Sequence, residues 1–375
     1  MAKIKSNLKS KKNLVIFSPS IDRGGVEKNL FLITEFLSKR LPNICLITSN
    51  FKDKKKFSKK IKIYTPPKNY LNFKNRLLKN IICTIILLKL ISTKKQFSLL
   101  SFNANIFATI IAKIFSINTI VRINTSHKKW STNFFKKSIF KFFLKYPDDV
   151  IVNSRELKKE IDKEFEVNSE CIYNPLNKSE ILESIKTKKN IFGVDKKTLK
   201  ILFIGRLVDQ KDPFTFIRAI RNIPKDIKYK SFIVGSGYLK EEILKFIKEN
   251  NLSDKLIHID YTKNAMQYLN QCDLFILSSK FEGLPNVLLE AQFLKKFIIS
   301  TNCPTGPKEI LLNGKAGDLI NSNSPKALTQ KIINFHQNKK NRLNKKKILL
   351  GYNQLQRFDF NANCKKYLNL IKRVI

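Results

Sequence analysis

Acidic residues are scarce in this 375-residue chain: 29 Asp and Glu stand against 72 Lys and Arg, a formal net charge of +43. A field of that size favours anionic partners, among them nucleic acid, acidic lipid headgroups and phosphorylated small molecules. The excess of Lys, Asn, Ile and Phe is also what an A/T-rich genome writes into any protein, so the charge alone names no partner. Cysteine is sparse too. Cys45, Cys83, Cys171, Cys272, Cys303 and Cys364 are scattered, with no CxxC and no metal-like spacing, and they read as reduced core residues of a cytosolic protein. Long hydrophobic runs are missing. The most apolar stretch, Ile81 to Ile91, is interrupted by Lys89 and falls short of the roughly 20 residues that span a bilayer, so no transmembrane segment is expected. The start, MAKIKSNLKSKKNLVIFS, is basic and then apolar, but its apolar run is too short for a signal peptide and reads as a first β-strand behind a basic tail. No internal repeat, no DxD sequence and no named nucleic-acid-binding motif is visible.

What is present is a regular alternation. A hydrophobic content of 43% over this length supports two domains with their own cores. Strand-like runs at Asn13–Ser18, Ile44–Thr48, Ile61–Tyr64, Phe97–Phe102, Thr119–Ile123 and Asp149–Asn153 alternate with helical periodicity, notably at Asn72–Ile91, Ile106–Phe115 and Arg155–Phe165. From Pro175 to Lys197 the chain turns polar, which marks a hinge. Alternation then restarts with Lys200–Ile204, Lys230–Val234, Leu256–Ile259, Asp273–Leu277 and Phe297–Ser300 as strands. The pattern implies α/β architecture, two parallel sheets flanked by helices. HQNKKNRLNKKK near the end reads as a charged connector. A last helix, Ala362 to Ile371, carries an apolar side that must pack somewhere.

The stretch FILSSKFEGLPNVLLE, residues 275–290, runs from an apolar strand through a Gly-Leu-Pro turn into a helix. Glu282 and Glu290 bracket the turn. Pro285 and Asn286 suit a helix's first positions, and the turn faces the carboxyl edge of the sheet, where ligands bind in open α/β folds. The spacing fits equally an ordinary connection with two solvated acids. Strand 200–204 ends in GRLVDQKDP: Gly205 permits a tight exit, Arg206 offers a bidentate fork for phosphate oxygens, Lys211 a point charge, and Pro213 opens a helix whose N-terminal dipole faces the same side. Gly235 and Gly237 either leave room for a ligand or serve the loop. Gly24 and Gly25 open another helix, where backbone N–H groups approach an anion or simply turn. His127, just past strand 119–123, is either a ligand-facing polar group or a solvated loop residue. WSTNFFKKSIFKFFLKYP interleaves Lys136, Lys137, Lys141 and Lys145 with phenylalanines, which suits an anionic membrane surface or a core-facing aromatic stripe.

Together GRLVDQKDP (205–213), VGSG (234–237), EGLPNVLLEA (282–291), TNCPTGPKEILLNGKAGDL (301–319) and GGVEK (24–28) resemble the GT-B retaining glycosyltransferases of family 4, the glycosyl transferases group 1 type. EGLPNVLLEA matches the family's E-x7-E signature. The resemblance implies an N-terminal acceptor domain (1–178), a hinge (179–198), a nucleotide-sugar domain (199–345) and a C-terminal helical segment (346–375) returning to the first domain. It implies that Arg206 and Lys211 bind the donor's diphosphate, that Glu290 bonds the ribose, and that Glu282 contacts the sugar with Gly283, Leu284 and Pro285 nearby. Gly24, Gly25, Gly205 and Gly235 would line the donor site. His127 would sit near the sugar, with Arg122 or Asn124 as alternatives. No metal or resident cofactor is implied. The expected activity is retaining transfer from a nucleotide-diphosphate sugar, UDP-linked, to a lipid-linked glycan in surface polysaccharide, lipopolysaccharide or capsule assembly, by an enzyme peripheral on the cytoplasmic face of the membrane. A soluble acceptor is the alternative within enzymes, and a basic nucleic-acid-binding protein the alternative of another class.

Overall fold

A computed structural model describes residues 13–21, 24–50, 55–67, 75–93, 96–127, 133–186, 190–195 and 197–375. The expected basic tail, part of the first lysine run, the start of the helix expected from Asn72 and the first residues of the basic–aromatic segment lie outside them. In the first half, β1 (Asn13–Phe17), α1 (Gly25–Ser38), β2 (Ile44–Ile47), β3 (Ile61–Tyr64), α2 (Arg76–Thr93), β4 (Phe97–Ser101), α3 (Asn105–Ile114), β5 (Thr119–Ile123), α4 (Phe134–Leu144), β6 (Asp149–Val152), α5 (Arg155–Phe165) and β7 (Glu170–Cys171) follow in order. After α6 (Lys178–Ser184) the second half runs β8 (Leu199–Ile204), α7 (Pro213–Arg221), β9 (Tyr229–Val234), α8 (Lys240–Glu249), β10 (Leu256–Ile259), α9 (Ala265–Gln271), β11 (Leu274–Leu277), α10 (Asn286–Phe293), β12 (Phe297–Thr301), α11 (Pro307–Ile310) and β13 (Asp318–Ile320). Three helices close the chain: α12 (Pro325–Gln337), α13 (Arg342–Asn353) and α14 (Phe360–Val374).

Among the described residues the strands form a seven-stranded sheet, order β3-β2-β1-β4-β5-β6-β7, and a six-stranded sheet, order β10-β9-β8-β11-β12-β13. Every pairing between these strands is parallel, with β1 central between β2 and β4, and β8 between β9 and β11. Both faces of a parallel sheet are covered, so its strands read as unbroken apolar runs; β2, β4 and β11 are buried at every position. Strand order reverses beside β1 and beside β8, which opens a crevice at the carboxyl edge of each sheet.

The last helix returns to the first domain. Cys364, Tyr367, Leu368 and Ile371 of α14 share one core with Ile33 and Leu37 of α1 and with the first sheet. Its end is tied down where Ser98 Oγ and Asn118 Nδ2 each donate to the Val374 carbonyl at 2.7 Å. The chain therefore crosses between the domains twice, and the two crossings pair: Leu176 N donates to Phe358 O at 2.9 Å. The charged connector expected near the end is in fact helical over much of its length. Asn341 accepts from Leu343 N at 2.9 Å and caps α13; its lysines are good helix formers, Lys345 and Lys346 staying exposed while Lys347 pairs with Asp318, and Gly351 packs on Gln292.

Candidate functional site

The carboxyl edges of the two sheets face each other, and the loops leaving them touch. After β5 the chain passes Asn124 and Thr125 to Ser126, whose N–H donates to the Glu282 carbonyl at 3.3 Å across the domain boundary. A Cβ on Gly283 would stand 1.9 Å from the Asn124 carbonyl oxygen, so only glycine admits this approach. The turn after β11 is thus pressed against the opposite domain, and its glycine is set by that backbone.

Glu282 is buried, and its carboxylate is held by the Lys211 ammonium and by Ser279 Oγ at 2.6 Å. Lys211 reaches it from the turn after β8. Arg206, on the same turn, is exposed and donates to Gln210 Oε1 at 3.1 Å, while Gln210 Nε2 donates to Phe281 O. Arg206, Lys211 and Glu282 therefore share one rim. The first turn of α7 differs from expectation. Asp212, left-handed at φ 45°, caps it by accepting from Thr215 N and Oγ1, so its own carboxylate occupies the helix end that was read as an anion seat. Gly235, at φ 148°, has a backbone reason: a Cβ there would meet the Gly205 carbonyl oxygen at 1.9 Å. A cavity of about 270 Å³ beside this turn, against Asp209, Asp212, Arg218 and Lys280, is lined by none of the residues read as donor ligands.

Glu290, one turn into α10, is buried and pairs with Lys28 Nζ of α1 at 2.7 Å, an ion pair that joins the two domains. Burial works to lower the Lys28 ammonium, but Glu290 and then Glu180 outweigh it and hold its pKa above the ordinary value. Asn286, at the start of α10, donates to Gly25 O at 3.3 Å and Asn29 Oδ1 at 3.2 Å. The GGVEK turn and the second half of the E-x7-E signature are thus in direct contact, and Lys28, Asn29 and Asn286 are site residues that the sequence reading passed over. Lys28 had a signal: it lies one helical turn after the diglycine.

Behind this contact lies a buried polar hub. Arg122 of β5, almost fully enclosed, donates to Tyr367 Oη at 2.7 Å, to Asn174 Oδ1 at 2.7 Å and to Asn124 Oδ1. Asn174 in turn donates to Leu284 O at 2.9 Å and Asn286 Oδ1 at 2.6 Å. Arg122 and Asn124 were alternatives for a sugar-facing group; Arg122 instead ties the last helix, the crossing and the signature turn together. His127 follows Ser126, and its ring turns to α5: Nδ1 lies 2.6 Å from Glu160 Oε1 and Nε2 3.8 Å from Glu164 Oε1. Five of the six cysteines are buried, and burial pushes Cys83, Cys171, Cys272, Cys303 and Cys364 up to about 12, too high for a reactive thiolate. Among the described residues no group of His, Cys, Asp or Glu could hold a metal ion, and no helix is long and apolar enough to cross a membrane.

The glycosyl transferases group 1 family model matches residues 184–348, the second domain. An uncharacterized glycosyltransferase of Methanocaldococcus jannaschii is 30% identical over 270 residues, 69% of this chain and 67% of that one. The Campylobacter jejuni N-acetylgalactosamine-N,N'-diacetylbacillosaminyl-diphospho-undecaprenol 4-alpha-N-acetylgalactosaminyltransferase is 28% identical over 60% of this chain and 62% of its own length. The chain spans about 55–67% of the length of three curated relatives that it matches. An Anabaena protein crystallised with UDP-glucose superposes over 96% of this chain and 99% of its own, with a TM-score of 0.78 at 16% identity, which is a likeness of fold. The two facing parallel-sheet domains have the GT-B arrangement, and this chain belongs to the glycosyl transferases group 1 family.

Proposed function

We propose that this chain moves a sugar from a nucleoside diphosphate donor, UDP-linked, onto a lipid-linked glycan acceptor with retention of anomeric configuration. One observation carries the reading: two turns of the second domain meet the first, Glu290 and Asn286 at the α1 start through Lys28 and Gly25, and Glu282, paired with Lys211, at the loop after β5 through Ser126, with Arg206 on the same turn as Lys211. Two charged pairs are already made there, Lys211 with Glu282 and Lys28 with Glu290. A donor would exchange these partners. Its diphosphate would draw Lys211 and Arg206, freeing Glu282 to accept from sugar hydroxyls and Glu290 to accept from the ribose, with Gly205, Gly235, Gly283, Leu284 and Pro285 shaping the seat.

As the bond between the sugar's anomeric carbon and phosphate breaks, its electron pair stays on the departing diphosphate, and Arg206 and Lys211 stabilise that charge without a metal. The acceptor hydroxyl adds on the same face and passes its proton to the departing phosphate oxygen. His127, oriented by Glu160, is the polar group proposed nearest the sugar. The Campylobacter relative is named for a diphospho-undecaprenol acceptor, and the Anabaena structure holds UDP-glucose, which support the lipid carrier and the UDP donor. Polysaccharide, lipopolysaccharide or capsule assembly at the cytoplasmic membrane face is the setting we propose.

Isothermal titration with UDP and GDP, for the wild type and Arg206→Ala, tests the reading. UDP binding in preference to GDP, weakened at least about ten-fold in the variant, supports it. Equal UDP binding by both proteins overturns it.

A further inference from the structure

We infer that the outer face of α2, α3 and α4 lays this chain on an anionic lipid bilayer, with the rim of the crevice held at the lipid surface. The surface is read independently of the donor site; only its purpose rests on the function proposed above.

Three observations converge. The first is topological. Right-handed crossovers from β3 to β4, β4 to β5 and β5 to β6 all advance in one direction, so α2, α3 and α4 lie on the same face of the first sheet, away from α1 and α14. They pack side by side, α2 on α3 and α3 on α4. The second is apolar exposure. Of the 17 exposed large hydrophobic side chains among the described residues, 11 sit on these helices or just past their ends. Leu77, Ile81, Ile85 and Leu88 repeat along one stripe of α2, while Leu87 and Leu90 take the core side. Phe134 and Phe135 are 85% and 72% exposed at the start of α4, and Ile114 is 65% exposed at the end of α3. A folded monomer seldom leaves so many large apolar groups on one face without a partner.

The third is charge. Residues 54–147 contain 21 Lys and Arg and no Asp or Glu. The acids paired with lysines of this face come from α5 and its C-terminal cap, where Glu164 pairs with Lys137 and Glu166 with Lys141 and Lys145. Arg76, Lys79, Lys89, Lys113 and Lys136 add five more cations on the three helices. Apolar groups inserted at the headgroup boundary with cations around them are what an anionic leaflet selects. A second copy fits poorly, because two such faces would bring like charges together. Nucleic acid makes no use of an aliphatic stripe such as that on α2.

Orientation follows from the fold. Helices in these units run opposite to the strands, so the starts of α2 and α4, with Leu77, Phe134 and Phe135, lie at the carboxyl edge of the sheet, beside the crevice. A bilayer on this face therefore reaches the crevice rim, where a lipid-linked acceptor would arrive.

Vesicle co-sedimentation of the full chain tests the inference. Phosphatidylcholine vesicles are compared with vesicles that also contain phosphatidylglycerol. The variants are Phe134→Ser with Phe135→Ser, Leu77→Ser with Ile81→Ser, and a control, Leu343→Ser with Leu349→Ser, on the exposed side of α13. Wild type and control should bind the anionic vesicles at least about ten-fold better than the neutral ones, and each of the other pairs should lose about five-fold or more. Equal binding by all four proteins, or an equal loss in the control, overturns the inference. So does light scattering that finds a wild-type dimer converted to monomer by the α2 and α4 variants, or oligonucleotide binding with indifference to vesicles. The UDP-induced rise in melting temperature is read alongside. If it persists while vesicle binding is absent, only the surface is wrong; if wild type shows no rise, the proposed donor is wrong.

Discussion

The two domains share one architecture and differ in charge. Residues 199–345 carry 13 Asp and Glu, many matched to lysines, as in Lys240 with Asp260, Lys339 with Asp273 and Lys347 with Asp318. Residues 54–147 carry none. A composition bias of the genome acts on both halves alike, so it cannot produce that contrast. The parallel fold does not demand it either, since the second sheet is built the same way from a mixed surface. The difference teaches that charge here follows what each domain faces. The family match lies on the mixed second domain, and the acid-free stretch 54–147 of the first domain presents the apolar and cationic helices.

Five substitutions break or sharpen this contrast. The largest effect is expected where the domains are joined. Arg122→Met leaves Tyr367, Asn174 and Asn124 with buried groups unpaired, at about 1 kcal/mol or more each and at least about 3 kcal/mol in total. Urea unfolding should show the first domain and α14 losing stability together; an unchanged midpoint would remove the hub from the argument. Next comes chemistry. Lys211→Ala in the second domain should cost about 2.7–4 kcal/mol of transition-state stabilisation in kcat/KM, whereas His127→Gln in the first should cost about 10²-fold or less. The reverse order would move the principal catalytic contribution to the first domain.

A smaller effect is expected at the ion pair between the domains. Lys28→Met leaves Glu290 without its cation; the Lys28 side chain is 29% exposed, so the loss is about 1–3 kcal/mol, below that of a fully enclosed pair. Because Lys28 competes for the carboxylate proposed to meet the ribose, the melting temperature without ligand should fall while the rise induced by UDP grows. A diminished rise would make Lys28 a nucleotide ligand instead. The smallest effect concerns Glu156 of α5, which accepts from Gly306 N in the other domain at 2.8 Å. Burial raises its pKa, the Gly306 N–H lowers it, and Glu309 raises it again, for a net rise. The folded state then holds this proton more tightly than the unfolded chain, so stability is lost as pH climbs above the ordinary carboxyl value. Glu156→Gln keeps an acceptor and removes that loss. Its melting temperature should exceed wild type by about 1–3 °C at pH 7 and by less at pH 4; the same difference at both values would exclude titration of Glu156 as the cause.

Much of the fold was legible because its signals are local. Apolar runs such as ILFI and LFIL, each ended by a turn, mark buried parallel strands whatever surrounds them, and Ser154 before Arg155 marks a helix start. The turn motifs proposed for the donor could be picked out for the same reason, since Gly205, Arg206 and Lys211 lie within one turn. The errors were also local in origin. Asp212 reads as one more loop residue until its carboxylate is seen filling the first turn of α7, and the lysines of 345–347 read as a connector although α13 incorporates them.

From the sequence alone came the two alternating α/β halves and the residues of the signature turns, because periodicity and turn chemistry act over a few residues. Tertiary structure alone decided the partners. Lys28 finds Glu290 across 262 residues, and Arg122 finds Tyr367 across 245. The exposed stripe of α2 joins those of α3 and α4 only once the crossovers bring the three helices onto one face. Such pairings depend on how distant strand ends are stacked in space, and no pattern along the chain records that distance.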